Sequence, residues 1–362
     1  MKKWFALVAI VFVSGCRNAD AQPEAETKSR SKWKLTAKDG TISKIVLAPD
    51  GDVIAGGPIK GTVDFAGQRL ESKENGVWVA RLASSGALKW VRLVDPPAKK
   101  YTSQYLQALS VAADGSIRVD VDQREAPYLR RVSIAADGAT QRVDALVPET
   151  RTMASTVVAN GDGIVSAEAG KKDKCKGAIL QRLQPGGKRT WSVCNNKVDL
   201  GALNVIDVAA DGRSAMCAHE WLAGFSAAGK RSWEAKHPKG CEKLAIAANG
   251  DVVVVYDGPP TQSVTQWKAS GKRGWTTPCT TILKGAGNCL LEALVVRGTD
   301  VILSVRNFDT SMIAILDATT GGVRKTYPLG IDAAFGAIAA TDSSIVFGTH
   351  GPSRMTIEAL DR

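Results

Sequence analysis

Histidine is scarce in this chain: His219, His237 and His350 are the three in 362 residues. Nucleophilic catalysis needs a nucleophile, a base and a group that orients the base, so so few imidazoles leave little material for it. The Gly-x-Ser-x-Gly elbow is also missing, because Gly224-Phe225-Ser226-Ala227-Ala228-Gly229 has the wrong spacing and reads as a turn. No Asp-x-Asp-x-Asp-Gly calcium loop occurs. The nearest acidic group, Asp120, Asp122 and Glu125, reads as a solvated B–C loop (strands A to D are defined below) rather than a cation site. No apolar run reaches the roughly 18 residues that a membrane-spanning helix needs. At 44% hydrophobic residues the chain is nonetheless too apolar for disorder, and its 35 glycines lack the period of collagen. Lys and Arg outnumber Asp and Glu by 47 to 36, a formal charge of +11.

The longest early apolar stretch runs from Trp4 to Val13, behind Lys2 and Lys3 and ahead of Val13-Ser14-Gly15-Cys16. A basic start, a short apolar run and small residues before a cysteine make an export signal, too short to span a bilayer. This segment resembles a bacterial lipoprotein signal, which implies removal of residues 1–15 and lipidation of Cys16. Several acyl chains on one residue give durable anchoring. Arg17 stands where the inner-membrane retention signal of such lipoproteins has Asp, so the resemblance implies the outer membrane, on the periplasmic side or at the cell surface. Residues 16–29 have no periodic apolar pattern and read as a lipidated flexible tether. Residues 30–362 are then one domain.

That domain is built on a period. Gly187-Lys188-Arg189-Thr190-Trp191 returns as Gly229-Lys230-Arg231-Ser232-Trp233 and as Gly271-Lys272-Arg273-Gly274-Trp275, each 42 residues after the last. Gly86-Ala87-Leu88-Lys89-Trp90 is a weaker copy, and Gly138 and Gly322 open degenerate ones. Each glycine follows an alternating run such as Val77 to Leu82, which predicts a hairpin. A second set of turns falls between the first, at Asp50-Gly51, Asp114-Gly115, Asp162-Gly163, Asp211-Gly212, Asn249-Gly250, Thr299-Asp300 and Thr341-Asp342. The order is strand A, tight turn, strand B, loop, strand C, tight turn, strand D, with no long helix. The chain ends inside a seventh C strand (Met355 to Leu360), while Ser31 to Leu35 places Trp33 in the register of the D-strand tryptophans. The prediction is an all-β, seven-bladed β-propeller of four-stranded blades, its last blade closed by the N-terminal strand.

The unit resembles bacterial seven-bladed β-propeller repeats and pyrroloquinoline-quinone-type repeats, Ile315 to Gly322 coming nearest to the latter. Quinone enzymes of that type set vicinal cysteines against the cofactor. No two cysteines are adjacent here, and no cofactor is expected. The layout also resembles the propeller lipoprotein of the outer-membrane barrel assembly machinery.

Strand parity sorts the remaining residues. Every cysteine after Cys16 falls at B–C or D–A connections, and in an oxidising compartment an even number implies disulfides. Sequential pairing is expected: Cys175 with Cys194, Cys217 with Cys241, Cys279 with Cys289. The alternative is zinc on Cys217, His219, His237 and Cys241. Cys-x-His and His-x3-Cys are no standard finger spacing, and a disulfide removes both thiolates, so no metal is expected. Lys188, Arg189, Lys230, Arg231, Lys272 and Arg273 occupy equivalent places on three D strands. They form a candidate basic rim for lipid phosphate or acidic glycan, although charges also protect sheet edges from pairing. The regular tryptophans are expected to pack between blades, and Trp221, beside His219, to be exposed.

These readings converge on a non-catalytic, membrane-tethered interaction scaffold. It would take envelope proteins on its B–C/D–A face, where Gly57 to Asn75 and Asp95 to Gln104 are the longest predicted loops, and bind no nucleic acid, as a monomer. The alternatives are a module for acidic glycan or lipid head groups on the basic rim, or a carboxylate-based hydrolase or lyase.

Overall fold

The computed structural model describes residues 31–94, 104–123, 129–147, 152–157, 162–168, 175, 178–196, 204–218, 220–237, 240–257, 261–284, 288–329, 334–351 and 354–362. The expected signal, Cys16 and tether lie outside the described residues. Ser31–Arg362 is one compact unit.

The alternating runs form strands. β1 (Ser31–Lys38) precedes a first group, β2 to β5 (Lys44–Leu47, Val53–Phe65, Gln68–Leu82, Leu88–Val94). Five separate four-stranded sheets follow. They are β6 to β9 (Gln104–Val111, Ile117–Gln123, Leu129–Ile134, Thr140–Val147), β10 to β13 (Thr152–Val157, Gly163–Glu168, Ala178–Leu183, Arg189–Asn195), β14 to β17 (Asn204–Val208, Ser214–Ala218, Trp221–Phe225, Arg231–Lys236), β18 to β21 (Cys241–Ile246, Val252–Tyr256, Ser263–Trp267, Arg273–Pro278) and β22 to β25 (Leu290–Arg297, Asp300–Arg306, Ser311–Asp317, Val323–Leu329). The helix α1 (Cys279–Ile282) follows β21, and β26 to β28 (Ala334–Ala340, Ser344–His350, Arg354–Asp361) end the chain.

Within every sheet neighbouring strands are antiparallel. The first strand of each group packs on the first strand of the next, from β2 through β6, β10, β14, β18 and β22 to β26, and β26 returns to β2. A closed ring of radial four-stranded sheets is a β-propeller. Second strands are covered on both faces by neighbouring sheets, so Val252–Tyr256 is buried along its whole length and reads as an unbroken apolar run.

The ring closes through the N-terminus. β1 pairs with β28 from Ser31 opposite Leu360 to Lys38 opposite Arg354, and Lys32 reaches Asp361 at 2.8 Å. Ala37 and Lys38 also pair with Phe65 and Asp64 of β3, which joins β26, β27, β28 and β1 to the first group in one eight-stranded sheet. The cause corrects one expectation: Gly57 to Asn75 is no loop but the outer half of the long β3–β4 hairpin. Ala66 and Gly67 both have positive φ (50° and 89°), as a type I′ hairpin turn requires. Ile59, Val63 and Phe65 of this arm are buried, and Phe65 meets Trp78 with ring centroids 4.9 Å apart. Of the other expected loop, Asp95 to Gln104, residues 95–103 lie outside the described residues and Gln104 is the buried first residue of β6.

The repeated Gly and Trp are the two halves of one joint between blades. Trp33, Trp90, Trp191 and Trp275 donate their indole N–H groups to Ser84, Ala136, Ala227 and Ala318 carbonyls in the next C–D turn, at 2.8, 3.0, 3.1 and 2.9 Å. The tryptophans therefore pack between blades as expected. Three of these carbonyls take a second donor from the preceding C strand: Arg81 on Ala136 (3.2 Å), Arg182 on Ala227 (3.1 Å) and Gln266 on Ala318 (2.9 Å). The same side chains return to Asp50 and Asp52, to Asp162, and to Asp251 in their own A–B turns. Because these bonds link like turns of neighbouring sheets, all A–B and C–D turns share one face of the disc.

Candidate functional site

The opposite, B–C/D–A face carries chemistry that the blade joints do not consume. In the β23–β24 turn Asn307 Oδ1 accepts the backbone N–H groups of Asp309 (2.9 Å) and Thr310 (2.7 Å), and Asn307 N–H donates to the Thr310 carbonyl. This closed turn holds Phe308 out, 81% exposed. Leu290, 41% exposed, begins β22 directly opposite Arg306 at the end of β23. Arg306 pairs with Glu292, whose other carboxylate oxygen accepts the Phe335 N–H at 2.9 Å. His350 ends β27 beside this pair. Burial holds its imidazole below the usual basicity; Glu292 opposes that shift and Arg306 adds to it. The result is a rigid apolar knob flanked by a half-buried charged pair. Nothing in the local sequence of Asn307-Phe308-Asp309-Thr310 marks it beyond an exposed aromatic in a turn.

The cysteines on this face join as expected: Cys175 with Cys194, Cys217 with Cys241 and Cys279 with Cys289, with Cα separations of 5.7, 6.1 and 5.8 Å. His237 stands against the second pair, its Nε2 3.2 Å from Cys217 Sγ and 3.5 Å from Cys241 Sγ. Three of the four candidate zinc ligands thus meet, while His219 lies outside the described residues.

The ring also encloses ionisable groups. The charges of Asp207 and Lys243 act on Lys44, although β2 does not pack on β14 or β18, so the three groups influence one another across the central channel. Lys44 and Asp207 both meet water there, yet stand deep in the ring where protein displaces most solvent. Desolvation pushes the Asp207 carboxyl up to about 6, against the pull of the Ile246 and Val208 backbone N–H groups and of Lys44. Desolvation, reinforced by Lys243, lowers Lys44.

Other expected sites fall differently. Lys188, Arg189, Lys230, Arg231, Lys272 and Arg273 are exposed at the starts of β13, β17 and β21, at equivalent places in three successive sheets. Arg231 pairs with Glu234 (2.7 Å) and Arg273 donates to Thr276 (3.0 Å), so part of the rim charge is engaged locally. The acidic cluster is not a loop: Asp120 and Asp122 lie within β7, and Glu125 is outside the described residues. Asp120 is fully buried and takes Nε and Nη2 of Arg131 at 2.7 and 3.0 Å, a bidentate pair. Trp221 is 6% exposed rather than open, because it begins β16 and packs with Met216 and Phe225.

Fold and joints define a β-propeller. No family model matches the chain, and no curated protein matches its sequence. Its fold is similar to that of BamB from Moraxella catarrhalis (14% identity, TM-score 0.51, 87% of this chain and 95% of that one). It is also similar to the Dos1 propeller (8% identity, TM-score 0.61, 92% and 95%) and to a streptogramin B lyase (14% identity, TM-score 0.56, 90% and 98%). Identities this low show a shared fold, which hosts both a lyase and other proteins.

Proposed function

We propose that this chain is a seven-bladed propeller lipoprotein, anchored in the outer membrane through acyl chains on Cys16, that docks envelope proteins on its B–C/D–A face and catalyses no reaction. The eight-stranded sheet counts as two blades, β2 to β5 and β26 to β28 with β1, which the arm of β3 and β4 ties together. The cycle of first strands supports that count. The lipobox-like Val13-Ser14-Gly15-Cys16 supports the anchor and the envelope setting.

The observation that carries docking is Phe308. Phe308 is the most exposed large hydrophobic side chain among the described residues, and a turn-held aromatic beside charged neighbours, which loses little freedom on binding, has the makeup of an interface anchor. Glu292 supports the non-catalytic reading, because both of its oxygens are engaged by Arg306 and the Phe335 N–H.

The test is a photo-crosslinking residue at position 308 in the lipidated chain in cells, read by mass spectrometry. Reproducible crosslinks to an envelope protein are expected, with the same residue at position 230 on the rim giving none. Crosslinks from the rim alone, to lipid or glycan, would move the function to the basic arc.

A further inference from the structure

Cys217, His237 and Cys241 are 0%, 5% and 3% exposed, and their ligand atoms lie within 4.8 Å of one another. Among the described residues they are the one group of three or more His, Cys, Asp or Glu side chains so arranged. Among the described residues, therefore, neither Cys175–Cys194 nor Cys279–Cys289 has such a group. The imidazole is fixed from several sides. The His237 backbone N–H donates to the Glu220 carbonyl at 3.1 Å, and its ring lies 4.6 Å from that of Tyr256, whose hydroxyl accepts the Trp267 indole N–H at 2.8 Å.

A disulfide alone has no need of an imidazole on its sulfurs. Tetrahedral zinc, with bonds of about 2.3 Å to sulfur and about 2.0 Å to nitrogen, sets S and N roughly 3.6 Å apart and two sulfurs roughly 3.8 Å apart. The nitrogen-to-sulfur separations of 3.2 and 3.5 Å already approach that geometry. Only the two sulfurs need to part, and they hang from different elements, the end of β15 and the start of β18. We propose that Cys217, His237 and Cys241 form a redox-gated site for zinc or another thiophilic cation, shut while the cysteines are joined and available once a dithiol reduces them.

The chemistry balances. A dithiol gives two electrons and two protons to the Cys217–Cys241 bond and leaves as a disulfide. The cation then displaces the two thiol protons and is held by two thiolate sulfurs and His237 Nε2, with water in the fourth position. Two thiolates neutralise a divalent cation, which suits a buried site that no carboxylate of the described residues joins. Gly240, exposed beside Cys241, places the site just under the B–C/D–A surface.

The test uses the intact mature chain, reduced with a phosphine and titrated with Co²⁺ as a stand-in for zinc. The reduced chain should bind one equivalent with thiolate-to-cobalt charge-transfer absorption, and the oxidised chain none. Cys217→Ser should abolish the band. His237→Gln should weaken binding by more than the roughly 10–100-fold that loss of an outer partner costs. The Cys175→Ser, Cys194→Ser double variant should keep it. Should a variant not fold, alkylation of the unaltered reduced chain decides: Zn²⁺ should shield Cys217 and Cys241 while leaving Cys175 and Cys194 reactive. No charge-transfer band in the reduced chain, or equal shielding of every cysteine, would overturn the proposal.

Discussion

Trp191 donates to the carbonyl of Ala227 at 3.1 Å, 36 residues ahead in the neighbouring blade. The bond sits over a turn in which Gly229 has φ 80°, and a Cβ there would fall 2.4 Å from the Trp191 ring. The repeat therefore keeps Gly for two reasons, the left-handed backbone and the tryptophan laid on it.

The two reasons can be separated. Gly298 has φ 59° but open space where a Cβ would stand. Gly298→Ala should cost about 1–2 kcal/mol, the left-handed penalty alone. Gly229→Ala adds displacement of Trp191 and should cost about 2–4 kcal/mol. Urea unfolding of the two variants measures the difference, and equal losses would refute the joint.

Closure by β1 makes a second prediction. Removing residues 1–38 strips Ala37 and the half-buried Trp33 and Leu35 from the core around Met355 and Ile357, and bares the whole edge of β28. The loss should be about 4 kcal/mol or more, from apolar burial alone, with aggregation through the new edge. A truncated chain melting like its parent would mean that the ring does not depend on this strand.

The blade period was legible because each turn glycine and each tryptophan obeys a local rule, and the disulfides because their cysteines end strands that parity places together. The bridges from Arg81, Arg182 and Gln266 were not. Each sits in an alternating C strand like any solvent-facing residue, and its partners are known only once two blades are set side by side. The arm of β3 and β4 hid for a different reason. Its turn is Ala66-Gly67 rather than Asn-Gly, and Gly61, at an apolar place and beside a register shift, interrupts the alternation of Ile59, Val63 and Phe65 with Lys60, Thr62 and Asp64. His237 meets Cys217 across 20 residues of chain, a contact that no spacing rule describes.

Asp120 and Arg131 are 0% and 1% exposed. Removing the Asp120 charge takes from buried Arg131 its bidentate carboxylate partner, so Asp120→Asn should destabilise by about 3–5 kcal/mol. Replacing both, Asp120→Leu with Arg131→Met, should recover most of that loss, since a well-packed apolar pair often equals a buried ion pair. Calorimetry of the three proteins checks this. Calcium should not raise the melting temperature of any of them; a calcium-dependent rise lost in Asp120→Asn would restore the cation reading of Asp120 and Asp122.

Asp207 gives the fold a pH dependence of unusual sign. Its folded pKa, raised by desolvation to about 6, lies above the ordinary value of 3.8. Between these values the folded chain holds a proton that the unfolded chain has released, so this residue's contribution to stability falls as pH rises from about 4 to 6 and stays lost above that. Asp50, Asp211 and Asp317 have lowered values and act oppositely, their contributions being present above 3.8 and lost in more acidic solution. Comparison with Asp207→Asn isolates the one residue: relative to that variant, the parent should become progressively less stable across pH 4 to 6, then run parallel to it. Urea midpoints at closely spaced pH values measure the difference, and a constant offset through that window would place Asp207 in ordinary solvent rather than in the desolvated channel.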